Sequence, residues 1–169
     1  GAGILLFHLA FLPGYGVFRD ELYYIACGRR PGWGYVDHPP LAPLVLAVVR
    51  AIAGESLVAI RIPAFLCGGL VVWATGRMVR ELGGRHWAVL TAATTVALAP
   101  GVVGMSGFFS VNVFEALAWT LCTWAVARIL RTGDTRLWLL VGLALGLGFE
   151  SKHTITTLVT ALGAGLLLT

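Results

Sequence analysis

The chain has 169 residues, of which 58% are hydrophobic and 12% are charged, and its mean hydropathy is +0.87. Soluble domains carry about 25% charged residues and disordered chains are poorer in apolar residues, so this composition excludes both classes. The net charge of +4 comes from 11 Arg and one Lys that are dispersed between apolar runs, which excludes the basic stripe of a nucleic-acid-binding protein. The composition is that of an integral membrane protein.

The apolar runs, taken in chain order, predict an all-α membrane protein with six spans. The run 1–13 is about 20 Å long as a helix, against a hydrocarbon core of about 30 Å, and is interpreted as a first span whose start is missing. A polar loop, about 14–56, follows, and its apolar stretch 41–53 predicts a helix along the membrane surface. The other spans are predicted at about 57–79, 87–108, 111–129, 136–149 and 154–169, the last again truncated. We therefore expect the N-terminal portion of one longer membrane domain.

Two connectors, 77–85 and 128–136, decide the predicted orientation. Together they hold six Arg and two acidic residues, and the positive-inside rule assigns such loops to the cytoplasm. Counting spans from them places the loop 14–56, the turn 106–112 and the break 150–153 on the outer face. Three separate polar segments are thus predicted to converge there.

The first of these segments contains Arg19, Asp20 and Glu21, followed by Tyr23 and Tyr24, which predicts the first turn of a short helix. Two interpretations of the carboxylates stay open. In the first, the carboxylates only stabilise the positive end of the helix, by about 0.3–1 kcal/mol. Alternatively, Asp20 is a general base or a metal ligand at the membrane surface, tuned by the adjoining Arg.

Asp37 and His38 stand directly before Pro39 and Pro40, which stiffen the chain and start the next helix. Asp37 is either the N-cap of that helix or a functional group. With the two carboxylates of the preceding motif, this pair would form an oxygen-rich site for a divalent cation.

Two further polar groups interrupt the predicted spans. Asn112 and Glu115 are three residues apart and share a helix face at the outer end of a span, as a cap with an interhelical bond or as a functional pair. The break at 150–153 contains Lys152, the only Lys of the chain, beside His153. It is either a solvated turn or, because a cation beside an imidazole suits an anion, a phosphate-binding group.

Five short motifs follow one another along nearly the whole chain. They are Arg19-Asp20-Glu21-Leu22-Tyr23-Tyr24, Gly34-Tyr35-Val36-Asp37-His38-Pro39-Pro40-Leu41, Arg61-Ile62-Pro63, Asn112-Val113-Phe114 and Gly148-Phe149-Glu150-Ser151-Lys152-His153. Together they resemble the polyprenyl-phosphate-sugar-dependent membrane glycosyltransferases. That group includes the protein O-mannosyltransferases, the lipid A aminoarabinose transferase and the bacterial lipopolysaccharide galacturonosyltransferases.

The resemblance implies a GT-C-like multi-span helical bundle whose large outer loop bears short interfacial helices and the catalytic carboxylate. Asp20 falls at that position, with Glu21 beside it. Asp37 resembles an acidic residue that is associated with a metal or with positioning, so a divalent cation is a candidate cofactor.

The resemblance also implies a set of groups that bind substrate or lipid phosphate. His38 stands where some relatives have Lys, Asn112 stands where several carry a second Asp, and Lys152 resembles a lysine that contacts the lipid phosphate. Arg19 and His153 complete this set.

The implied activity moves a sugar from a polyprenyl-phosphate donor to a lipid, glycan or protein acceptor, at the outward face of a bacterial cytoplasmic membrane. Asp20 would deprotonate the acceptor hydroxyl and cations would stabilise the leaving phosphate, in a single displacement with inversion. The rival class is a transporter that uses Glu115, Glu150 and Lys152 as a path. It predicts charges near mid-membrane and an internal repeat, and the sequence has neither.

Overall fold

The computed structural model describes residues 2–11 and 16–168. Within these ranges the chain forms nine α-helices and no strand, which confirms the predicted all-α membrane fold. The ends of the predicted first and last spans and of the outer loop, at residues 1, 12–15 and 169, lie outside the described residues. The helices are α1 (Ala2–Phe11), α2 (Arg19–Gly28), α3 (Leu41–Ala53), α4 (Leu57–Glu81), α5 (His86–Leu98), α6 (Pro100–Gly107), α7 (Val111–Thr132), α8 (Leu137–Phe149) and α9 (Ile155–Leu167).

Two of the described helices, α4 and α7, are long and apolar enough to cross a membrane by themselves. The predicted span 87–108 is two helices, α5 and α6, bent by 57° at a break before Pro100, and the pair together is long enough for a third crossing. The bend follows from Pro100, which lacks the N–H that would continue α5. At 13 residues each, α8 and α9 are about 20 Å long, so their assignment as spans stays a prediction.

The two predicted basic connectors are shorter than the sequence pattern indicated, because α4 continues to Glu81 and α7 to Thr132. Glu81 is buried, and its carboxylate pairs with Arg128 at 3.3 Å and with Arg131 at 2.6 Å. Buried charges require such partners. The double ion pair therefore fixes the end of α4 against the end of α7.

The core lies along α7, which packs against α4 on one side and α8 on the other. Close approach depends on glycine at two places. A Cβ at Gly68 would lie 2.5 Å from the Cβ of Ser106, and one at Gly148 would lie 2.9 Å from the Cβ of Ala118. Small residues at such crossings are typical of membrane helix packing.

The predicted helix at 41–53 is present as α3, and it covers a second core cluster at the end of the bundle where α2 meets the start of α7. This cluster joins α2, α3, α4 and the start of α7 through Tyr24, Ala42, Leu46, Ile60, Phe109 and Val111. The opposite face of α3 exposes Leu44, Val48 and Ile52, which are spaced one helical turn apart. Its location along the membrane surface stays a prediction.

Candidate active site

The predicted short helix at Arg19 is α2, and its first turn is held by Glu21. Glu21 accepts a hydrogen bond from the backbone N–H of Phe18 at 2.8 Å, which satisfies the N–H of the residue that precedes the helix. The guanidinium of Arg61 donates from Nε to Oε1 at 2.8 Å and from Nη2 to Oε2 at 2.7 Å. The N–H of Phe109 donates to Oε1 at 3.0 Å. One carboxylate therefore joins α2, α4 and the junction that precedes α7.

This ion pair is almost completely buried, with 0% of the Glu21 side chain and 3% of the Arg61 side chain exposed. Burial by itself raises the pKa of Glu21, but the hydrogen bonds and the charge of Arg61 outweigh it and hold the pKa below its usual value. Neither oxygen is open to a substrate in this arrangement. The guanidinium of Arg61, near the start of α4, is thus bound inside the protein.

Asp20 and Arg19 lie on the other side of the same turn and face outward. The Arg19 side chain is exposed, and its Nε lies 3.5 Å from Oδ1 of Asp20. About half of the Asp20 side chain is exposed. Because Glu21 anchors the helix, Asp20 is a carboxylate on a fixed backbone that a substrate can still reach.

Asp37 does not cap α3, which begins at Leu41 with Pro40 as its N-cap residue. Its Oδ1 instead accepts the hydroxyl of Tyr23 at 2.5 Å. This bond raises the pKa of Tyr23, because a carboxylate beside the hydroxyl opposes its ionisation. Since Tyr23 is three residues after Asp20 on α2, the bond ties the loop before α3 to the helix that carries Asp20.

His38 is buried among the rings of Tyr23, Tyr24 and Tyr35, whose centroids lie 5.0–5.5 Å from its own. Its Nδ1 is 2.9 Å from the carbonyl oxygen of Pro39. A carbonyl only accepts hydrogen bonds, so this nitrogen carries a proton. The predicted phosphate-binding role of His38 is not supported by this enclosure.

The predicted divalent-cation site does not assemble from the described residues, among which no group of three or more His, Cys, Asp and Glu could hold a metal ion. The reason is visible at Glu21, which is committed to Arg61, and at Asp37, which is bound to Tyr23. We therefore derive no step through a metal.

A second polar cluster forms where the α8–α9 turn meets the start of α7. The Nζ of Lys152 donates to Oδ1 of Asn112 at 3.0 Å and lies 3.4 Å from Oε2 of Glu115. The hydroxyl of Thr154 donates to the other oxygen of Glu115. Asn112 is thus not the cap of α7, since the N-cap residue is Ser110. Asn112 and Lys152, which were both predicted to bind the lipid phosphate, are thus in contact, and the carboxylate of Glu115 lies beside them.

The turn at 150–153 is only partly solvated. Ser151 is fully buried, and its hydroxyl donates to the carbonyl of Val111 at 3.0 Å. His153 is exposed beside the ring of Phe149, whose centroid lies 4.8 Å from its own. The turn is therefore bound to the first residue of α7, which fixes the position of Lys152.

An open groove of about 640 Å³ begins at this cluster and runs along α7 between α4 and α6. The end of the groove at this cluster carries Asn112 and Glu115, and the rest of the groove is mainly apolar. The lining residues are Val71, Val102, Met105, Asn112, Glu115, Ala116, Trp119 and Thr120. Asn112, Glu115 and Trp119 follow the helical spacing of one face, so the groove has a polar head and an apolar body.

The two polar clusters are joined by the backbone. The N–H of Leu41 donates to the carbonyl of Glu150 at 3.0 Å. Beside this bond, a pocket of about 320 Å³ brings Asp37 and His38 together with His153. The segments 16–41, 109–115 and 149–154 therefore converge at one end of the bundle, as predicted.

Residues 37–169 match the family described as dolichyl-phosphate-mannose-protein mannosyltransferase. The chain belongs to this family. A polyprenol-phosphate-mannose–protein mannosyltransferase from Corynebacterium glutamicum is 32% identical over 99 residues, which are 58% of the chain and 19% of that protein. The match thus spans about a fifth of the relative's length. No solved structure matches the chain significantly.

The family match begins at Asp37, so it includes Asn112 and Lys152 and leaves Asp20 and Glu21 before its first residue. The matched range thus contains the cluster of Asn112, Glu115 and Lys152 at the groove. The α2 cluster is connected to the matched segment by the Glu21–Arg61 pair.

Several contacts at this end of the bundle were not predicted from the sequence. The pairing of Arg61 with Glu21 left a signal, since an Arg inside an apolar span needs a buried anion. The bonds from Ser151 to Val111 and from Thr154 to Glu115 left none, because a hydroxyl in a turn is ordinary.

Proposed function

We propose that the chain is part of a membrane glycosyltransferase that takes a sugar from a polyprenyl-phosphate donor at the outer face of a bacterial cytoplasmic membrane. The groove carries this proposal, because its polar head and apolar body match an amphiphile with a phosphate and an isoprenoid tail. Lys152 lies at the head, where its ammonium would pair with the phosphate. The relative's name makes mannose the favoured sugar and a protein hydroxyl the favoured acceptor.

The chemistry is a single displacement at the anomeric carbon. The acceptor oxygen forms a bond to that carbon while the bond from carbon to the phosphate oxygen breaks. The acceptor proton passes to a base, and the bonding electrons leave with the phosphate, which becomes a monoester. One base and one cation meet these needs, and with a single carboxylate the expected outcome is inversion.

Asp20 is the proposed base, because it is the exposed carboxylate on the anchored turn of α2. Arg19 beside it supplies positive charge at the same surface. Glu21 is proposed as a positioning residue in place of the predicted contact with substrate, since both its oxygens are bound.

The test is turnover of labelled polyprenyl-phosphate-mannose by the full-length protein in membranes, with Asp20→Asn and Lys152→Ala compared to wild type. Asp20→Asn should lower kcat about 10²–10⁴-fold, the usual contribution of a general base. Lys152→Ala should weaken donor use about 10–100-fold, the usual value of a hydrogen bond to a charged group. Asp134→Asn, on an exposed carboxylate in the α7–α8 connector, is the matched control and should leave turnover unchanged.

Supplying lipid, glycan and peptide acceptors separately identifies the acceptor class. The proposal fails if wild type releases no sugar from any donor. It also fails if Asp20→Asn and Lys152→Ala both behave like the control while a solute gradient changes, which would favour a transporter.

A further inference from the structure

Glu115 holds a position that the proposed transfer does not explain. Its side chain is only 14% exposed, and its Oε2 lies 3.4 Å from the Nζ of Lys152, the cation proposed to bind phosphate. The hydroxyl of Thr154 binds its other oxygen, so the carboxylate is held toward the head of the groove. A site built only for anion affinity would not place a fixed negative charge there.

The charges around the groove head balance. Lys152 and Glu115 sum to zero, and Asn112 adds a neutral amide. Glu150 and His153, in the same turn as Lys152, line the other pocket and not the groove. A phosphate that enters the groove therefore meets one cation and one anion within a few ångströms of each other.

The donor and the product differ in charge at this point. A polyprenyl-phosphate sugar is a phosphodiester with one negative charge, whereas the polyprenyl phosphate left after transfer is a monoester. The second pKa of a phosphate monoester is about 6, so the product carries nearly two charges at neutral pH. A carboxylate at the groove head repels the product more strongly than the donor.

We propose that Glu115 is a specificity-determining residue that makes the groove discriminate against phosphate monoesters and so favours release of the spent carrier lipid. The inference rests on the proposed function, because it assigns the groove to the donor phosphate. It names a role for a carboxylate that is not needed for bond cleavage.

The test compares two probes that differ in charge and by one methyl group, a short-chain polyprenyl phosphate and its methyl ester. Equilibrium binding of each radiolabelled probe is measured on the purified full-length protein in nanodiscs of neutral lipid. Binding is the readout, since the same charge also develops on the phosphate during bond cleavage. Glu115→Gln should strengthen binding of the monoester relative to binding of the diester by about fivefold. This is the effect of one charge near 4 Å at high dielectric.

Asn112→Asp provides the opposite change, because it adds a carboxylate on the other side of Lys152. This variant should weaken binding of the monoester relative to binding of the diester by a similar factor. Glu150→Gln, which removes a charge in the same turn without a contact to Lys152, is the matched control and should leave the ratio unchanged. If Glu115→Gln does not fold, Asn112→Asp alone decides the sign.

The inference is overturned if Glu115→Gln strengthens binding of both probes equally. The carboxylate would then only compete with the phosphate for Lys152. The inference is also overturned if the ratio does not respond to either variant while wild type still turns over the donor, and in that case the proposed function stands. If wild type binds neither probe and releases no sugar, both proposals fail.

Discussion

At the scale of single residues, the adjacent carboxylates Asp20 and Glu21 have opposite environments. One is half exposed beside an exposed Arg, and the other is enclosed by donors from the neighbouring Phe18 and from the distant Arg61 and Phe109. Sequence alone places both on one turn but does not tell which faces inward, because that depends on the partner Arg61, 40 residues further on. Breaking a buried pair costs far more than breaking an exposed one.

Glu21→Gln should therefore destabilise the full-length protein by about 3–5 kcal/mol at neutral pH, since it leaves the Arg61 guanidinium buried without its anion. A drop in the melting temperature of the purified protein measures this. Glu55→Gln is the control, because Glu55 is exposed and its pairing with Arg29 and Arg50 is at the surface, so little change is expected.

The pH dependence follows from the lowered pKa of Glu21. A group whose folded pKa lies below its usual value of 4.5 stabilises the protein above that value, and this stability is lost as the pH falls through the folded pKa. The difference between wild type and Glu21→Gln should thus be complete at pH 6 and shrink below about pH 4.5. A difference that stays constant to pH 3 would contradict the ionised pair.

At the scale of elements, helix contacts depend on missing side chains. Gly68 lets α4 approach α6 so closely that an added Cβ would lie 2.5 Å from Ser106 Cβ and 2.9 Å from its Oγ. The Cβ of Ser106 is next to the backbone and cannot turn away. The apolar pattern predicted these helices, but it could not show which glycines lie at crossings, because Gly is frequent throughout membrane helices.

Gly68→Ala should destabilise the protein by about 1–3 kcal/mol through overpacking, measured as a lower melting temperature. Gly142→Ala in α8 is the matched control, since no atom lies within 4 Å of the added Cβ, and the helix should be unaffected or slightly more stable. Adding Ser106→Gly to Gly68→Ala should restore part of the loss. Equal effects of Gly68→Ala and Gly142→Ala would show that α4 and α6 do not meet there.

At the scale of the whole molecule, the charge pattern predicts that the α2 and groove clusters face outward and the Glu81 end inward. Cysteine labelling with a membrane-impermeant maleimide tests this orientation. Trp33 is 96% exposed and Leu82 is 74% exposed, so Trp33→Cys should react in intact cells and Leu82→Cys only after permeabilisation. The three native cysteines are buried, and wild type provides the blank. If Leu82→Cys reacted in intact cells and Trp33→Cys only after permeabilisation, the predicted orientation would be wrong.

The sequence predicted the helical class, α4, α7 and the convergence of three polar segments, because apolar runs and isolated charges record these directly. It did not predict the bend at Pro100 or the continuation of α4 to Glu81 and of α7 to Thr132, since helix ends depend on backbone partners as well as hydropathy. The hydrogen bonds and contacts of Glu21, Asp37 and His38 were also not predicted, and they leave the metal and phosphate-binding roles of these residues as predictions. A motif gives the residues present but not the hydrogen bonds that already occupy them.

The open groove along α7 has a consequence for how the protein would meet its substrate. Under the proposed function, a lipid donor reaches this groove from the membrane leaflet, so the concentration that matters is the mole fraction of donor among the surrounding lipids. Adding inert phospholipid at a constant amount of donor should then lower the rate, while diluting the whole suspension with buffer should not change the turnover per protein molecule. The rate would saturate with the surface density of donor in the membrane. A dissociation constant in moles per litre would then change with the amount of lipid present.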